Sequence, residues 1–236
     1  MRFSNFKTGK TLSLANFLSL TNSSLAQAVR QGEYRYISCI EDRFFDSKNL
    51  IRCEIGSVSY VLALLCKYMG VRDNYFDELD DGFLSGECSV GEEEFECLAD
   101  WAKDLENIII DSSFFTHQDS QMLFEFLNLL NVNVVLADSD ISEFNTTGKL
   151  DELKELNSFD GSVVYKINSD QTRLVGGCNF AIVSKIKDGD SVNLSVNELN
   201  DSVKFEQDNE LKGTVALLFM PKFSGYCFEL VRVAKA

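Results

Sequence analysis

The sequence predicts an α/β protein, with a layered, mainly parallel sheet and flanking helices followed by a β-rich C-terminal part that forms a small antiparallel sheet or barrel. Three observations predict it. Up to about residue 140, apolar runs of strand length alternate with amphipathic helical stretches, the order of βαβ units. Beyond that point the helical period disappears, and short β-branched and aromatic runs are separated by glycine, asparagine and aspartate turns. The 45 % apolar content of 236 residues is ample for a sizeable core. The expected division is an α/β Rossmann-like domain over residues 1–140 and a β-rich domain over 141–236.

Taken in order, "TGKT" at residues 8–11 has the ending of a phosphate-binding loop. Such a loop needs another glycine five residues before Gly9, where Ser4 stands, so a polar turn before a strand is the better reading. "LANFLSL" is expected as a strand, "NSSLAQAVRQG" as a short helix closed by Gly32, and "YRYISCI" as the next strand. From Glu54 to Met69, Val58, Val61, Leu62, Leu65 and Met69 recur at helical spacing, with Gly70 as the stop. In "SVGEEEFECLADWAKDLENIIID", Ser89 and Glu92 have capping-box spacing, and Glu92, Glu93 and Glu94 meet the positive end of the helix dipole. Phe95, Leu98, Ala99, Ala102 and Leu105 share one face, and "NIIID" is the strand that follows. Thr116 and Asp119 repeat the cap spacing before "HQDSQMLFEFLNLLN", a helix apolar nearly all round and so deeply buried, which leads into the strand "VNVVLAD". A loop with a short helix is expected over 139–161. After it come six strand-like runs: "SVVYKI", "NFAIVSKI", "DSVNLSV", "DSVKFEQ", "GTVALLF" and "YCFELVRV".

Charge and cysteine usage exclude several function classes. With 22 basic and 37 acidic residues the formal charge is −15, which repels phosphate backbones and anionic headgroups, so neither nucleic acid nor a lipid surface is an expected partner. No apolar run approaches the ~20 residues that cross a bilayer, so no direct membrane insertion is expected. The start is basic and moderately apolar, but Asn16 and Asn22 interrupt it. Seven scattered cysteines without a C-x-x-C fit single thiols in a reducing, cytoplasmic setting and give no support to zinc or iron–sulfur sites.

Few residues carry chemistry. The only histidine, His117, could be a general base, but a solvated cap residue at a helix start is the better reading. "DELDDG" fails the spacing of a calcium loop, because counting Gly82 as the sixth position puts Leu79 third and Cys88 twelfth; a solvated acidic turn is expected. Cys178 in "LVGGCNF" reads as a buried thiol beside a glycine turn rather than a nucleophile, with Gly176 and Gly177 marking a tight turn or close backbone approach. A small-molecule pocket, if the α/β part has one, is expected at the carboxyl ends of the strands near Asp111, His117 and Asp138. The turn there, "SSFFT", has no glycine to cradle a phosphate, and Phe114 and Phe115 are expected to plug the space.

Local wording adds a resemblance. "IED" after a strand, "CEIGSVSYVLALL" opening a helix, "LDDGFLSGECSVGEEE" and the strand-helix-strand from Ile108 to Asp138 resemble the molybdopterin-oxidoreductase-like region of the large subunit of the proton-pumping NADH:quinone oxidoreductase, respiratory complex I. "IKDGDSVNL" and "ELKGTVALLFMP" more weakly resemble its β-rich part. The N-terminal iron–sulfur domains with clustered cysteines that mark that large subunit are missing here. The resemblance implies a structural or accessory component that is not catalytic by itself, binds no cofactor, and associates with other protein subunits of a respiratory complex, peripheral to the inner face of the membrane. No catalytic residue carries over onto any position.

Overall fold

Residues 11–15 are all buried because the strand that begins there lies in the middle of a sheet covered on both faces. In this computed structural model, which describes residues 1–196 and 202–236, the chain divides into two compact units, Met1–Leu156 and Asn157–Ala236.

The first unit is built on a five-stranded sheet of β1 (Thr11–Ser13), β2 (Tyr34–Ser38), β3 (Leu50–Arg52), β4 (Asn107–Ile110) and β5 (Asn133–Leu136). Their order is β3-β2-β1-β4-β5, and every pairing is parallel. Strand order therefore reverses between β1 and β4, the switch point beside which open α/β sheets hold ligands. Helices α1 (Leu18–Thr21) and α2 (Ser23–Val29) link β1 to β2. Four helices, α3 (Val58–Tyr68), α4 (Asn74–Asp77), α5 (Asp81–Cys88) and α6 (Glu92–Trp101), lie between β3 and β4, and α7 (Ser113–Thr116) and α8 (Ser120–Leu130) between β4 and β5.

The period of two along each strand sends alternate side chains to opposite faces. Leu12, Leu14, Ile108, Ile110 and Val134 join the larger core with α3, α6 and α8, while Ala15, Tyr36, Ile109, Val135 and Ala137 meet Leu18, Ala26 and Val29 from α1 and α2. Three successive isoleucines serve both layers at once. Phe95, Leu98, Phe124 and Phe126 have essentially no exposed surface, and each contributes roughly 1.5–3 kcal/mol by burial.

Several local expectations are corrected. "LANFLSL" is not a strand: β1 ends at Ser13, and Phe17 at φ 44° turns the chain into α1. The helix expected from Glu54 starts at Val58, because Ser57 bonds back to the Glu54 carbonyl through both its amide and its hydroxyl and makes a turn first. Its stop is as expected, with Gly70 at φ 78°. Ser89 does not cap α6. It sits at φ 56° at the end of α5 and donates to Glu54, while Gly91 is the cap and its amide donates to the Glu94 carboxylate at 3.1 Å. The three glutamates do occupy the first turn of α6. Thr116 likewise ends α7, and Asp119 takes the cap position of α8. Residues 141–156 hold no helix, contrary to expectation. They form a strap tied to unit 1 by an isolated bridge between Glu143 and Arg2 and by bonds to side chains of α8.

The second unit is β-rich. Strands β6 (Val163–Asn168), β7 (Arg173–Gly176), β8 (Ser191–Ser195), β9 (Ser202–Gln207), β10 (Val215–Met220), β11 (Phe228–Leu230) and β12 (Arg232–Lys235) form one mixed sheet, ordered β11-β6-β10-β7-β9-β8-β12. β10 with β6 and β7 with β9 are parallel, and the remaining pairings are antiparallel. "NFAIVSKI" is a helix and not a strand: α9 (Cys178–Ser184) places Phe180 against Phe205, with centroids 6.0 Å apart. The turn between "DSVNLSV" and "DSVKFEQ", with the Asp201 that opens the latter, lies outside the described residues.

Candidate functional site

Asp111 is the residue that the topology places at the switch point. It follows β4 directly, its side chain is buried, and one carboxylate oxygen accepts from the Asn16 amide at 2.6 Å and the Asn16 side chain at 3.3 Å. The other accepts from the Ser113 amide at 2.9 Å and from the Ser113 hydroxyl. The loop after β1 and the turn after β4 are thus joined by one anion that belongs to the chain. In a dinucleotide-binding sheet, the amides after the first strand face a phosphate. Here the Asn16 amide is already spent on Asp111.

The same device recurs along the edge. Asp42, buried, accepts from the Ser19 amide in α1 at 2.9 Å, from the Ser19 hydroxyl at 2.7 Å and from the Phe44 amide at 3.1 Å. Asp138, just after β5, accepts from the Ser112 amide at 2.8 Å and hydroxyl at 2.7 Å. Asn22 caps α2 by accepting from the Leu25 amide, and its side chain donates to the Ala137 carbonyl at 2.8 Å. Between these anchors Phe17 is held in the left-handed region, where a bulky side chain is strained unless its surroundings over-determine it. Bonds on both sides, at Asn16 and Ser19, supply that constraint.

Electrostatics follow from burial. Burial pushes Asp111 up to about 6, against the pull of the Ser113 and Asn16 donors, with the Asp138 charge adding to the rise. On the α1 and α2 face, the Ser13 and Tyr36 hydroxyls are register partners that are buried without a hydrogen-bond partner. The Tyr36 phenol is held well above its ordinary range, first by burial and then by Glu41 and Asp42.

His117 belongs to a different network, and it is buried, not a solvated residue. Its Nε2 lies 2.8 Å from the Gly56 carbonyl, and its Nδ1 accepts from the Asp119 amide at 3.0 Å, an arrangement that assigns the proton to Nε2. Burial lowers its pKa below 6.5 despite the Gly56 carbonyl and the Asp119 charge. The Asp119 carboxylate accepts from the buried Ser59 hydroxyl at 2.9 Å and from the Lys154 amide at 3.1 Å. Serine, histidine and aspartate are close together here, but the hydroxyl bonds the carboxylate and the imidazole donates to a carbonyl. These bonds tie the α3 entrance, the α8 entrance and the strap together, and the Ser59 hydroxyl is held by Asp119.

Of the three sequence candidates, the structure connects Asp111 and Asp138 through consecutive serines, and it places His117 among Gly56 and Asp119. The phenyl rings meant to plug the turn do not point into water. Phe114 is 1 % exposed, and Phe115 packs on Phe124 at 5.0 Å and Phe144 at 6.0 Å. The sequence reading did not single out Asn16, Ser19, Asp42 or Asp119 as members of these networks. Their only sequence signal is a short polar residue after an apolar run, shared with many ordinary turns.

Other sequence candidates resolve simply. "TGKT" leads into β1, with Thr11 its first residue, at the opposite end of the strand from a phosphate loop. "DELDDG" supplies Asp80 as the α5 cap and Asp81 as the partner of Lys67 at 2.6 Å. Cys178 is exposed, not buried. Of the glycines before it, Gly177 allows a close backbone approach, since a Cβ there would stand 1.8 Å from the Leu211 carbonyl oxygen, and Gly176 leaves room for the Phe180 and Phe205 rings. Among the described residues, no group of three or more histidine, cysteine or acidic residues could hold a metal ion, and no helix is long and apolar enough to cross a membrane.

No protein-family model matches the chain, and no curated protein matches it either. What stands is the architecture, a Rossmann-like parallel sheet with flanking helices and a β-rich mixed sheet. Nothing in these comparisons ties it to respiratory complex I.

Proposed function

We propose that the chain is a non-catalytic structural or accessory component of a protein assembly, in the manner of the cofactor-free molybdopterin-oxidoreductase-like part of the complex I large subunit that its sequence resembles. The observation that carries this reading is the Asp111 carboxylate on the Asn16 amide at 2.6 Å: the donor that would grip a ligand anion is engaged by an anion of the chain. A dinucleotide or pterin phosphate at this edge would have to displace a buried carboxylate from the donors of Asn16 and Ser113 and then face the unscreened negative charge of Asp111 and Asp138.

Two measurements test it. Thermal melts of the purified chain with NADH, ATP and a reduced pterin should show no saturable stabilisation, whereas a ligand that binds the native state must raise its stability. A tagged chain expressed in its own cells and recovered from gently solubilised membranes should bring down NADH:quinone oxidoreductase subunits. Saturable stabilisation by one of the three ligands that Asp111→Asn alters would establish the competing reading, a small-molecule site near Asp111, His117 and Asp138. Recovery free of respiratory subunits would remove the assignment to that complex.

A further inference from the structure

Away from the sheet edge, unit 1 has a cavity of about 460 Å³ between α3, the α4 to α5 region and the strap. That volume falls within the ~300–1,000 Å³ of small-molecule sites. Its deepest lining residues are Tyr60 and Leu84, at 2 % and 6 % exposure, and Tyr75, Leu79, Leu150 and Leu153 form half-buried apolar walls. The mouth has a different character. Glu78, Asp80, Asp151 and Glu152 stand around it with Phe83, whose ring is 6.4 Å from that of Tyr60 and whose side chain is 52 % exposed.

No basic side chain lines this cavity among the described residues, and none of the four rim carboxylates makes an ion pair there. Two lysines close to lining residues are bonded to other groups. Lys67 donates to Asp81 and to the Leu79 carbonyl, and Lys154 donates to the Gln118 carbonyl. A mouth whose carboxylates make no ion pair, over an aromatic and aliphatic interior, is complementary to a cation with an apolar body, because the ammonium gains from carboxylates and ring faces while the body removes apolar surface from water.

We propose that this cavity binds a small organic cation, an apolar body of aromatic-ring size carrying one protonated amine. The body enters between Tyr60, Tyr75 and Leu84, and the ammonium stays at the mouth near Asp151, Glu152 and Glu78. The site is independent of the sheet edge, since none of its lining residues bonds Asp111, Asp42 or Asp138. Exposed carboxylates are each worth little, so selectivity for charge comes from their sum, roughly tenfold in affinity.

The test is calorimetric titration of the full chain at low salt with 3-phenylpropylamine, 3-phenylpropanol and 3-phenylpropionate, three probes of similar shape and different charge. The amine should bind saturably at one site with a Kd on the order of 0.1–1 mM, the alcohol roughly tenfold more weakly, and the carboxylate more weakly still. The pair Asp151→Asn with Glu152→Gln should remove the preference for amine over alcohol, and Phe83→Ala should weaken both. These positions are at the surface, so the fold tolerates the changes. Absence of saturable binding by the amine, equal affinity for amine and carboxylate, or amine binding that ignores both variants would overturn the proposal. So would amine binding lost in Asp111→Asn and kept in the rim variants, which would place the ligand at the sheet edge.

Discussion

Asp111 and His117 are both buried, and burial moves their protonation in opposite directions along the pH axis. For Asp111 the folded value of about 6 lies above the ordinary 3.8, so between these values the native state holds more protons than the unfolded chain. Its contribution is fully present below pH 3.8 and is lost as pH rises through about 6, a difference of about 3 kcal/mol. His117 has a folded value below 6.5, so its contribution is present above 6.5 and is lost as pH falls through that depressed value. A raw stability profile mixes the two, and a difference between variants separates them. Asp111→Asn keeps the shape and polarity and removes one titration. Denaturant melts from pH 4 to pH 7 should show the variant gaining on the native protein as pH rises, with most of the change between pH 4 and about 6 and little beyond. A difference that is flat with pH, or that runs the other way, would mean that the donors of Asn16 and Ser113 outweigh burial.

The strap illustrates how an element without regular structure is held. Glu125, in the middle of α8 and 2 % exposed, accepts from the Thr147 amide and hydroxyl, from the Gly148 amide at 3.1 Å and from the Gln121 side chain at 2.8 Å. Burial alone would raise its pKa, but these donors together hold it below the ordinary glutamate value. Phe144 stacks on Phe124 at 3.9 Å on the same stretch. Glu125→Gln retains volume and loses the charge that the donors converge on, so it should cost about 2 kcal/mol. It should also release the Thr147 and Gly148 amides to hydrogen exchange while leaving β4 protected. Full protection of both amides in the variant would show that the phenyl stack holds the strap alone. Elements of this sort are the ones that sequence conceals. The periodic faces of α3, α6 and α8 and the doubly covered strands β4 and β5 are legible, because burial on a regular element repeats at short range. α9 is not: in "NFAIVSKI" a short helix buries Phe180 and Ala181 and leaves Ile182 67 % exposed, which β-branched letters disguise as a strand. The edge was half legible. Asp111 and Asp138 are recognisable as carboxylates after strands, but the partner that gives Asp111 its meaning, Asn16, lies 95 residues away in sequence.

Over the whole molecule, charge is distributed very unevenly. Residues 1–156 contain 13 basic and 27 acidic residues, net −14, while residues 157–236 contain 9 and 10, net −1. Self-repulsion is therefore a property of the first unit, and it works against that unit's compact state. Ion pairs oppose it weakly. Lys103 with Asp100 and Lys48 with Asp46 are exposed pairs, of the kind that contribute close to nothing, whereas Lys67 with Asp81 is shielded on both sides. Repulsion among an excess of carboxylates extends over a Debye length, and salt shortens that length from roughly 20–30 Å near 0.01–0.02 M to under 5 Å near 0.5 M. Sodium chloride over this range should therefore stabilise the first unit by about 1 kcal/mol and leave the second nearly unchanged. Hydrogen exchange on the intact chain resolves the two, since the buried β4 amides report on the sheet of unit 1 and the β10 amides on that of unit 2. Protection at Ile108, Ile109 and Ile110 should rise with salt while that at Ala216 and Leu218 stays constant. An equal rise in both would assign the effect to general salt action on apolar surface, and a fall in the first unit would mean that its attractive pairs outweigh its repulsion.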